Sequence, residues 1–302
     1  MRAAVIVPVY GWAPYLAQTL DAVLAQVPAP EEIVVVDDGS PEPLALHPDH
    51  RERCELIRRP ARGGPAAARA SALERSDAGL VALCDADDAW EPGLWGAQLR
   101  ALDAHPDAAL CFGRALVVGP DDRPTGERWA QPAPGRHAGA DALGWLYEAN
   151  PVPTSSVVLR RAPLEAAGGL DSPRRRAEDW ELWLRLLARC EALVCVPGAV
   201  VRYRRHPTSL TADIAALARA QLELHAEFAH LVSEAVGRRA QASDHYALAE
   251  ALARAGRRGA ARESLAQGLA LAPPNRRQRQ LALMLAVPGA SSLVGARARY
   301  RA

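Results

Sequence analysis

Two short runs of carboxylates are the residues of this chain best placed to do chemistry: Asp37 and Asp38 in VVVDDGS, and Asp85, Asp87 and Asp88 in CDADDAW. Three carboxylates within four residues repel one another unless they are solvated, paired or neutralised by a cation. A hard divalent ion, Mg2+ or Mn2+, prefers such oxygen ligands and would bridge them to a diphosphate. Asp37 and Asp38 follow an apolar run, where a carboxylate can accept from a uracil imide N–H or from ribose hydroxyls. Asp-Gly-Ser after a strand is equally ordinary turn chemistry. A third acidic feature is the pair Glu178 and Asp179, followed by Trp180 at the start of a helical pattern. Such a pair complements a helix dipole or supplies a general base. His206, beside Arg204 and Arg205, is either a surface histidine or an imidazole for the same cation.

The elements around these residues put the acids where ligands bind. Continuous apolar runs at residues 3–7 and 33–36 read as buried parallel strands. Between them Pro14 opens a segment with Leu16, Leu20, Val23 and Leu24 at helical spacing, closed by Pro28 and Pro30, so the unit is βαβ. A third strand at 54–57, a loop at 59–64, an alanine-rich helix opened by Pro65 and a fourth strand at 79–84 continue the alternation. The pattern predicts an α/β, doubly wound sheet, whose ligands lie beyond the carboxyl ends of the strands. Both acidic runs fall at such ends.

Further along, strands are predicted at 109–118 and 155–159, with a turn at 119–123 between them. A helix at 178–187 and two short strands at 193–196 and 200–203 complete an α+β half. From Ile214 onward the pattern is helical, so the expected division is a catalytic domain at 1–214 and a helical region at 215–302. Residues 246–273 read as helix, turn and helix, a single tetratricopeptide-like hairpin. One hairpin cannot bury both its faces, and it is expected to dock on the catalytic domain or on a partner. Residues 281–285 and the arginine-spaced tail beyond Pro288 and Gly289 suggest peripheral contact with a membrane or a protein, being too short to span a bilayer.

Composition bounds the function classes. The chain has 302 residues, 49% of them hydrophobic and 24% charged, with a net charge of +1, a globular balance that offers nucleic acid no basic surface. All 36 lysine-plus-arginine positions are arginine. Cys54, Cys84, Cys111, Cys190 and Cys195 are odd in number and form no CxxC pair, so neither a disulfide framework nor a thiolate zinc site is expected. A reducing, cytoplasmic setting fits. The opening MRAAVIVPVYGW, broken by Pro8, is too brief for a signal peptide or an anchor.

Taken in order, VIVPVYG at 5–11, VVVDDGS at 34–40, the glycine-rich approach at 62–69 and CDADDAW at 84–90, then GGLD at 168–171, AEDWELWLRL at 177–186 and YRRHPTSLT at 203–211, resemble the inverting glycosyltransferase family 2. The resemblance covers about residues 1–211. It implies the GT-A fold, a Rossmann-like domain with a mixed central sheet, and transfer of a hexosyl or N-acetylhexosaminyl group from a nucleotide-sugar, a UDP-sugar first, to an acceptor hydroxyl. That acceptor is a sugar, a lipid-linked molecule, a protein or a small molecule. It places Pro8, Tyr10 and Asp38 at the nucleotide base, with Asp37 beside them, and Gly64 and Arg69 near the uracil or the donor phosphates. Arg69 is otherwise a structural ion pair on a helix. Asp85 and Asp87 become the DxD motif, with Asp87 the direct ligand of Mn2+ or Mg2+ and His206 a further ligand as in some relatives. Asp179 becomes the general base, with Glu178 its nearest substitute. Gly11 and Ala70 stand where family members often have asparagine, which touches the donor contacts. Processive relatives carry a QxxRW motif and several membrane spans; neither is present, so one linkage per encounter is implied. A nucleotidyltransferase would open with a glycine-rich basic loop, which residues 8–14 are not. A non-catalytic nucleotide-sugar-binding or scaffold protein would have lost some of Asp85, Asp87 or Asp179.

Overall fold

The computed structural model describes residues 2–11, 13–189 and 192–286. Cys190 and the tail beyond Pro288 lie outside the described residues. Clustering of the backbone divides the chain into two compact units, one of residues 1–146 and 150–209, the other of residues 147–149 and 210–302.

In the first unit the chain runs β1 (Ala3–Val9), α1 (Leu16–Leu24), β2 (Glu32–Asp37), α2 (Pro48–Arg51), β3 (Glu55–Arg58), α3 (Pro65–Arg75) and β4 (Leu80–Leu83). The β-branched runs form β1 and β2 as expected. Ala4, Val5, Ile6 and Val7 are completely buried, as parallel strands covered on both faces must be. Strands β3, β2, β1 and β4 lie side by side and parallel. Helix α1 buries Leu16, Leu20 and Val23 together with one polar residue, Thr19.

The sheet then turns mixed. After β5 (Ala89–Trp90) and α4 (Leu94–Ala104) come β6 (Ala108–Val118), β7 (Pro124–Arg128), β8 (Gly135–His137), α5 (Gly139–Glu148), β9 (Val157–Arg160), α6 (Arg161–Ala166), α7 (Glu178–Ala188) and β10 (Ala192–Arg204). The order across the sheet is β3-β2-β1-β4-β9-β6-β10-β5, with β7 on β6 and β8 on β10. Strand β9 runs antiparallel to both β4 and β6. The doubly wound expectation holds for four strands and gives way there.

The two short strands expected at 193–196 and 200–203 are one strand, β10, interrupted by a register shift between Cys195 and Val200 against β6. Pro197 and Gly198 make the extra backbone of a bulge rather than a turn. Gly113 on β6 permits it, because a Cβ there would meet the Ala199 carbonyl oxygen at 2.2 Å.

In the second unit α8 (Ile214–Glu227), α9 (Glu234–Arg254), α10 (Arg258–Leu271) and α11 (Arg276–Ala286) follow one another. Helix α9 begins twelve residues before the predicted start at Tyr246. Its first half buries Gly237, Ala240 and Ala242, small residues that leave no large apolar periodicity to read. The hairpin of α9 and α10 is flanked inside its own unit by α8 and α11, which share its core through Ala218 and Leu285. No helix among the described residues is long and apolar enough to cross a membrane.

Candidate functional site

The carboxyl ends of β1 and β2 form the first wall of the site. Asp38 is 3% exposed. Its carboxylate accepts from the Gly63 amide at 3.0 and 3.1 Å, the Gly64 amide at 2.7 Å and Arg59 Nη1 at 2.8 Å. It therefore sets the course of the loop that leads into α3. Gly39 lets that loop close, since its φ is 69° and a Cβ would lie 2.6 Å from the Ala61 carbonyl carbon. Gly64, with φ 93°, caps α3.

Asp37 faces away from this loop. Its Oδ1 accepts from the Ser40 amide at 2.9 Å, and its Oδ2 from the Leu44 amide at 3.1 Å and Arg58 Nη1 at 2.6 Å. Burial opposes its charge, but Ser40, the Leu44 amide and Arg58 prevail and hold its carboxyl below the ordinary range. Both oxygens are occupied inside the protein. Pro8 lies in β1 opposite Val36, and Tyr10 is exposed, with the Arg62 guanidinium 3.9 Å over its ring. That pair is the outward-facing part of this wall.

The loop from Asp85 to Asp88, after β4, is held from three sides. Thr19 Oγ1 reaches the Asp88 carbonyl at 2.7 Å and the Ala86 carbonyl at 3.0 Å. The Asp85 amide donates to Ser155 Oγ at 3.0 Å. Arg204, its side chain buried, donates from its amide to Asp88 Oδ1 at 2.8 Å and from Nε to the Asp87 carbonyl at 2.9 Å. Its guanidinium stacks 4.3 Å over Tyr15 and donates to Asp122 Oδ1 at 3.0 Å.

The acids crowd, as their spacing predicts. Burial and the charge of Asp85 push Asp87 up, against the pull of His206. Burial and the charges of Asp87 and Asp85 push Asp88 well up, and Asp88 Oδ2 lacks a hydrogen bond of normal geometry. His206 Nδ1 is held by Thr208 Oγ1 at 2.9 Å, which aims Nε2 at Asp87 Oδ2, 2.8 Å away. Asp85 Oδ1 turns instead to Arg69. Among the described residues no three acidic, histidine or cysteine side chains gather as a complete cation site. A carboxylate and an imidazole in contact, beside acids that resist ionising, still make a donor set that suits Mn2+ or Mg2+, which bind through one or two protein groups and take further oxygens from phosphate and water.

Arg69 joins this loop to the third wall. It is 4% exposed, its Nη2 lies 2.6 Å from Asp85 Oδ1 and its Nη1 3.0 Å from Glu178 Oε1. Burial works against its charge, and Asp85 and Glu178 more than offset that. Glu178 and Asp179 open α7, with Ala177 before them in the left-handed region at φ 58°, a conformation that costs a non-glycine residue on the order of 1 kcal/mol. Burial, then the neighbouring Asp179 charge, raises Glu178 to about 7, although Arg69 pulls it down. Asp179 Oδ2 accepts from Thr154 Oγ1 at 2.5 Å and from Asn150 Nδ2 at 3.4 Å, and Oδ1 from the Trp180 amide at 2.7 Å.

The structure thus brings Arg69, Asp85, Glu178 and Asp179 into one cluster, places Asp87 against His206 beside it, and sends Asp37 into its own turn. Sequence reasoning missed Asn150 and Thr154, to which it gave no element, and Ser155, which it read only as the first residue of a strand, and it gave Arg204 no task. The run of Arg202, Arg204 and Arg205 was the one signal for the last.

Residues 4–163 match Glycosyl transferase family 2. The succinoglycan biosynthesis protein ExoW of Rhizobium meliloti (strain 1021) is 37% identical over 99 residues, which are 30% of this chain and 31% of ExoW; matches to the curated relatives at the head of the comparison span less than two thirds of their length. Among solved structures, S. aureus TarS 1-349 superposes with a TM-score of 0.64 at 17% identity, covering 93% of this chain and 83% of that one. The mannosyltransferase PcManGT from Pyrobaculum calidifontis, in complex with GDP-Man and Mn2+, gives 0.59 at 21% identity, covering 97% and 86%. The mixed sheet with its crossing helices is the GT-A fold of these structures. With the match covering more than half of its length, the chain belongs to glycosyltransferase family 2.

Proposed function

We propose that this chain transfers a single hexosyl or N-acetylhexosaminyl group from a UDP-sugar to an acceptor hydroxyl, with inversion at the anomeric carbon and with a divalent cation. The observation that carries the reading is the bridge made by Arg69, at 2.6 Å from Asp85 and 3.0 Å from Glu178. It makes the acidic loop and the start of α7 parts of one site, one side suited to a diphosphate and the other to a proton acceptor. TarS has also been solved with UDP-GlcNAc, at a TM-score of 0.60 to this chain, and PcManGT with GDP-Man and Mn2+, which supports a nucleotide-sugar donor.

The geometry supports the following division of labour. Tyr10 and Arg62 offer an exposed aromatic and cationic face to the nucleotide, on a loop shaped by Asp38 and Gly64. Asp37 braces the turn behind it. Asp87 and His206 Nε2 would hold the cation, with Asp85 nearby; when bound, that cation neutralises charge growing on the leaving diphosphate. Asp179 takes the proton of the acceptor hydroxyl as its oxygen bonds to the anomeric carbon, and the bond from that carbon to the diphosphate oxygen breaks with its electron pair leaving on UDP. Glu178 is committed to Arg69, 3.0 Å from its Oε1, and serves the bridge rather than the proton transfer.

The test is calorimetric titration with UDP, GDP, UDP-glucose, UDP-galactose and UDP-GlcNAc, each with Mn2+ and with excess chelator. A UDP-containing ligand bound tightly with Mn2+ and weakly in chelator is the expected result. Equal UDP affinity in chelator overturns the cation dependence, and no binding of any nucleotide under either condition overturns the reading.

A further inference from the structure

The turn at Thr154–Ser156, between α5 and β9, has each of its side chains committed to a different partner. Ser156, fully buried, accepts from the Gly113 amide through Oγ at 3.0 Å and donates to the Pro153 carbonyl at 2.7 Å. Ser155, 1% exposed, accepts from the Asp85 amide through Oγ at 3.0 Å and from Trp90 Nε1 through its carbonyl at 2.6 Å. The turn is therefore pinned to β6 by one residue and to the acidic loop by the next. Thr154 is the member left to point at α7, and its hydroxyl donates to Asp179 Oδ2 at 2.5 Å.

Asn150 approaches the same oxygen. Its Oδ1 accepts from the Val152 amide at 3.1 Å, which fixes which end of the amide faces α7, and its Nδ2 lies 3.4 Å from Asp179 Oδ2. A carboxylate has about four acceptor sites, two on each oxygen. Thr154 and Asn150 fill both on Oδ2. On Oδ1 the Trp180 amide, at 2.7 Å, fills one. One site remains.

We propose that Thr154, assisted by Asn150, is the positioning residue of Asp179: it anchors Oδ2 to the pinned turn and leaves Oδ1 as the atom that receives the acceptor's proton. This rests on the reading of Asp179 as the base. Thr154 does not touch the reacting atoms, and its effect passes through the direction in which Oδ1 is held. A freely rotating carboxylate would divide its time between orientations, and catalysis is steeply sensitive to such misplacement. Because the turn that carries Thr154 also receives the Asp85 amide, the base is referenced to the acidic loop by hydrogen bonds as well as by the Arg69 bridge.

The experiment compares Thr154→Val, Thr154→Ser, Asn150→Ala, Asp179→Asn and the Thr154→Val/Asp179→Asn double variant in the full chain. Release of UDP from UDP-glucose, UDP-galactose and UDP-GlcNAc with Mn2+ is measured, with water as acceptor, alongside calorimetric UDP affinity. Thr154→Val is expected to lower kcat roughly ten- to hundredfold, the worth of a hydrogen bond to a charged group, at unchanged KM and UDP affinity. Thr154→Ser restores most of the rate, and Asn150→Ala loses less than Thr154→Val. In the double variant Thr154→Val adds no further loss to Asp179→Asn, because groups acting as a unit are not additive. Wild-type kcat in a folded Thr154→Val, with Asp179→Asn inactive, overturns the positioning role and leaves the base in place. Losses that multiply in the double variant overturn it as well. Wild-type activity in Asp179→Asn removes the base reading and this proposal with it. Should Thr154→Val not fold, Thr154→Ser and Asn150→Ala decide: a serine variant that loses as much as Asp179→Asn contradicts a role for the hydroxyl.

Discussion

Replacing Glu178 by glutamine is expected to remove a loss of stability that the wild-type chain suffers as pH rises toward neutrality. Glu178 sits with its side chain 11% exposed, 3.0 Å from Arg69 and next to Asp179. Burial and the Asp179 charge together outweigh Arg69 and raise it from 4.5 to about 7. The unfolded chain releases this proton near the ordinary value and the folded chain keeps it, so the stabilisation is complete below the unfolded value and is lost as pH climbs through the folded one. At about 1.4 kcal/mol per pH unit the whole window is worth roughly 3 kcal/mol, most of which falls between pH 5 and pH 8. Glutamine resembles the protonated form and does not titrate. Its different hydrogen bonding to Arg69 adds an offset that does not follow this titration, so the quantity to compare is the change with pH. All seven tryptophans lie between residues 12 and 183, so their fluorescence during urea unfolding reports on the first unit. The gap between Glu178→Gln and wild type should move by about 2–3 kcal/mol in favour of the variant from pH 5 to pH 8. A gap that moves by less than about 0.5 kcal/mol, or in the opposite direction, would show that Glu178 is an ordinary ionised partner of Arg69 and refute the reasoning.

Asp37→Asn keeps the shape of the turn while removing the anion opposite Arg58 and one of two acceptors, and should cost about 2–4 kcal/mol by urea unfolding. Because the Asp37 carboxyl is held below its ordinary value of 3.8, its stabilisation is present above that value and lost as pH falls through the folded one. The variant should lack this acid sensitivity. Gly39→Ala must place a Cβ 2.6 Å from the Ala61 carbonyl carbon at φ 69° and should cost about 1–3 kcal/mol; an unchanged melting temperature would mean the loop from Arg59 to Gly64 can move aside. His206→Ala should weaken UDP binding with Mn2+ tenfold or more without affecting binding in chelator. Equal losses under both conditions would make His206 a nucleotide contact.

The parts of the fold that were legible in the sequence are those whose signals are local. Buried apolar runs placed β1, β2 and β4, the last two leading into aspartates, and an acidic helix start with two tryptophans placed α7. The expectation failed where a local cue had a non-local resolution. Pro197 and Gly198 look like a turn, but the neighbouring Gly113 lets them bulge within β10. The first half of α9 packs through alanine and glycine, so no periodicity announced it. Within the site, residue types were readable and partners were not. Arg69 pairs with groups 16 and 109 positions away, and only the folded chain shows that it spans two motifs. Thr154 carries no recognisable pattern, because a hydroxyl gains its meaning from what lies 2.5 Å away. Asp37 and Asp38 are adjacent and read alike, yet one braces its own turn and the other organises the approach to α3.

The central claim is that a nucleotide-sugar is bound at the strand ends and that Asp179 performs proton abstraction rather than binding. The measurement that meets it most directly is UDP release from UDP-glucose, UDP-galactose and UDP-GlcNAc with Mn2+, run beside UDP calorimetry, for wild type and Asp179→Asn. At least one of these donors should be turned over by the wild type, and Asp179→Asn should lose roughly a hundredfold to ten-thousandfold of that rate at unchanged UDP affinity. Wild-type turnover in a folded Asp179→Asn, or loss of UDP affinity in step with the rate, would contradict the account.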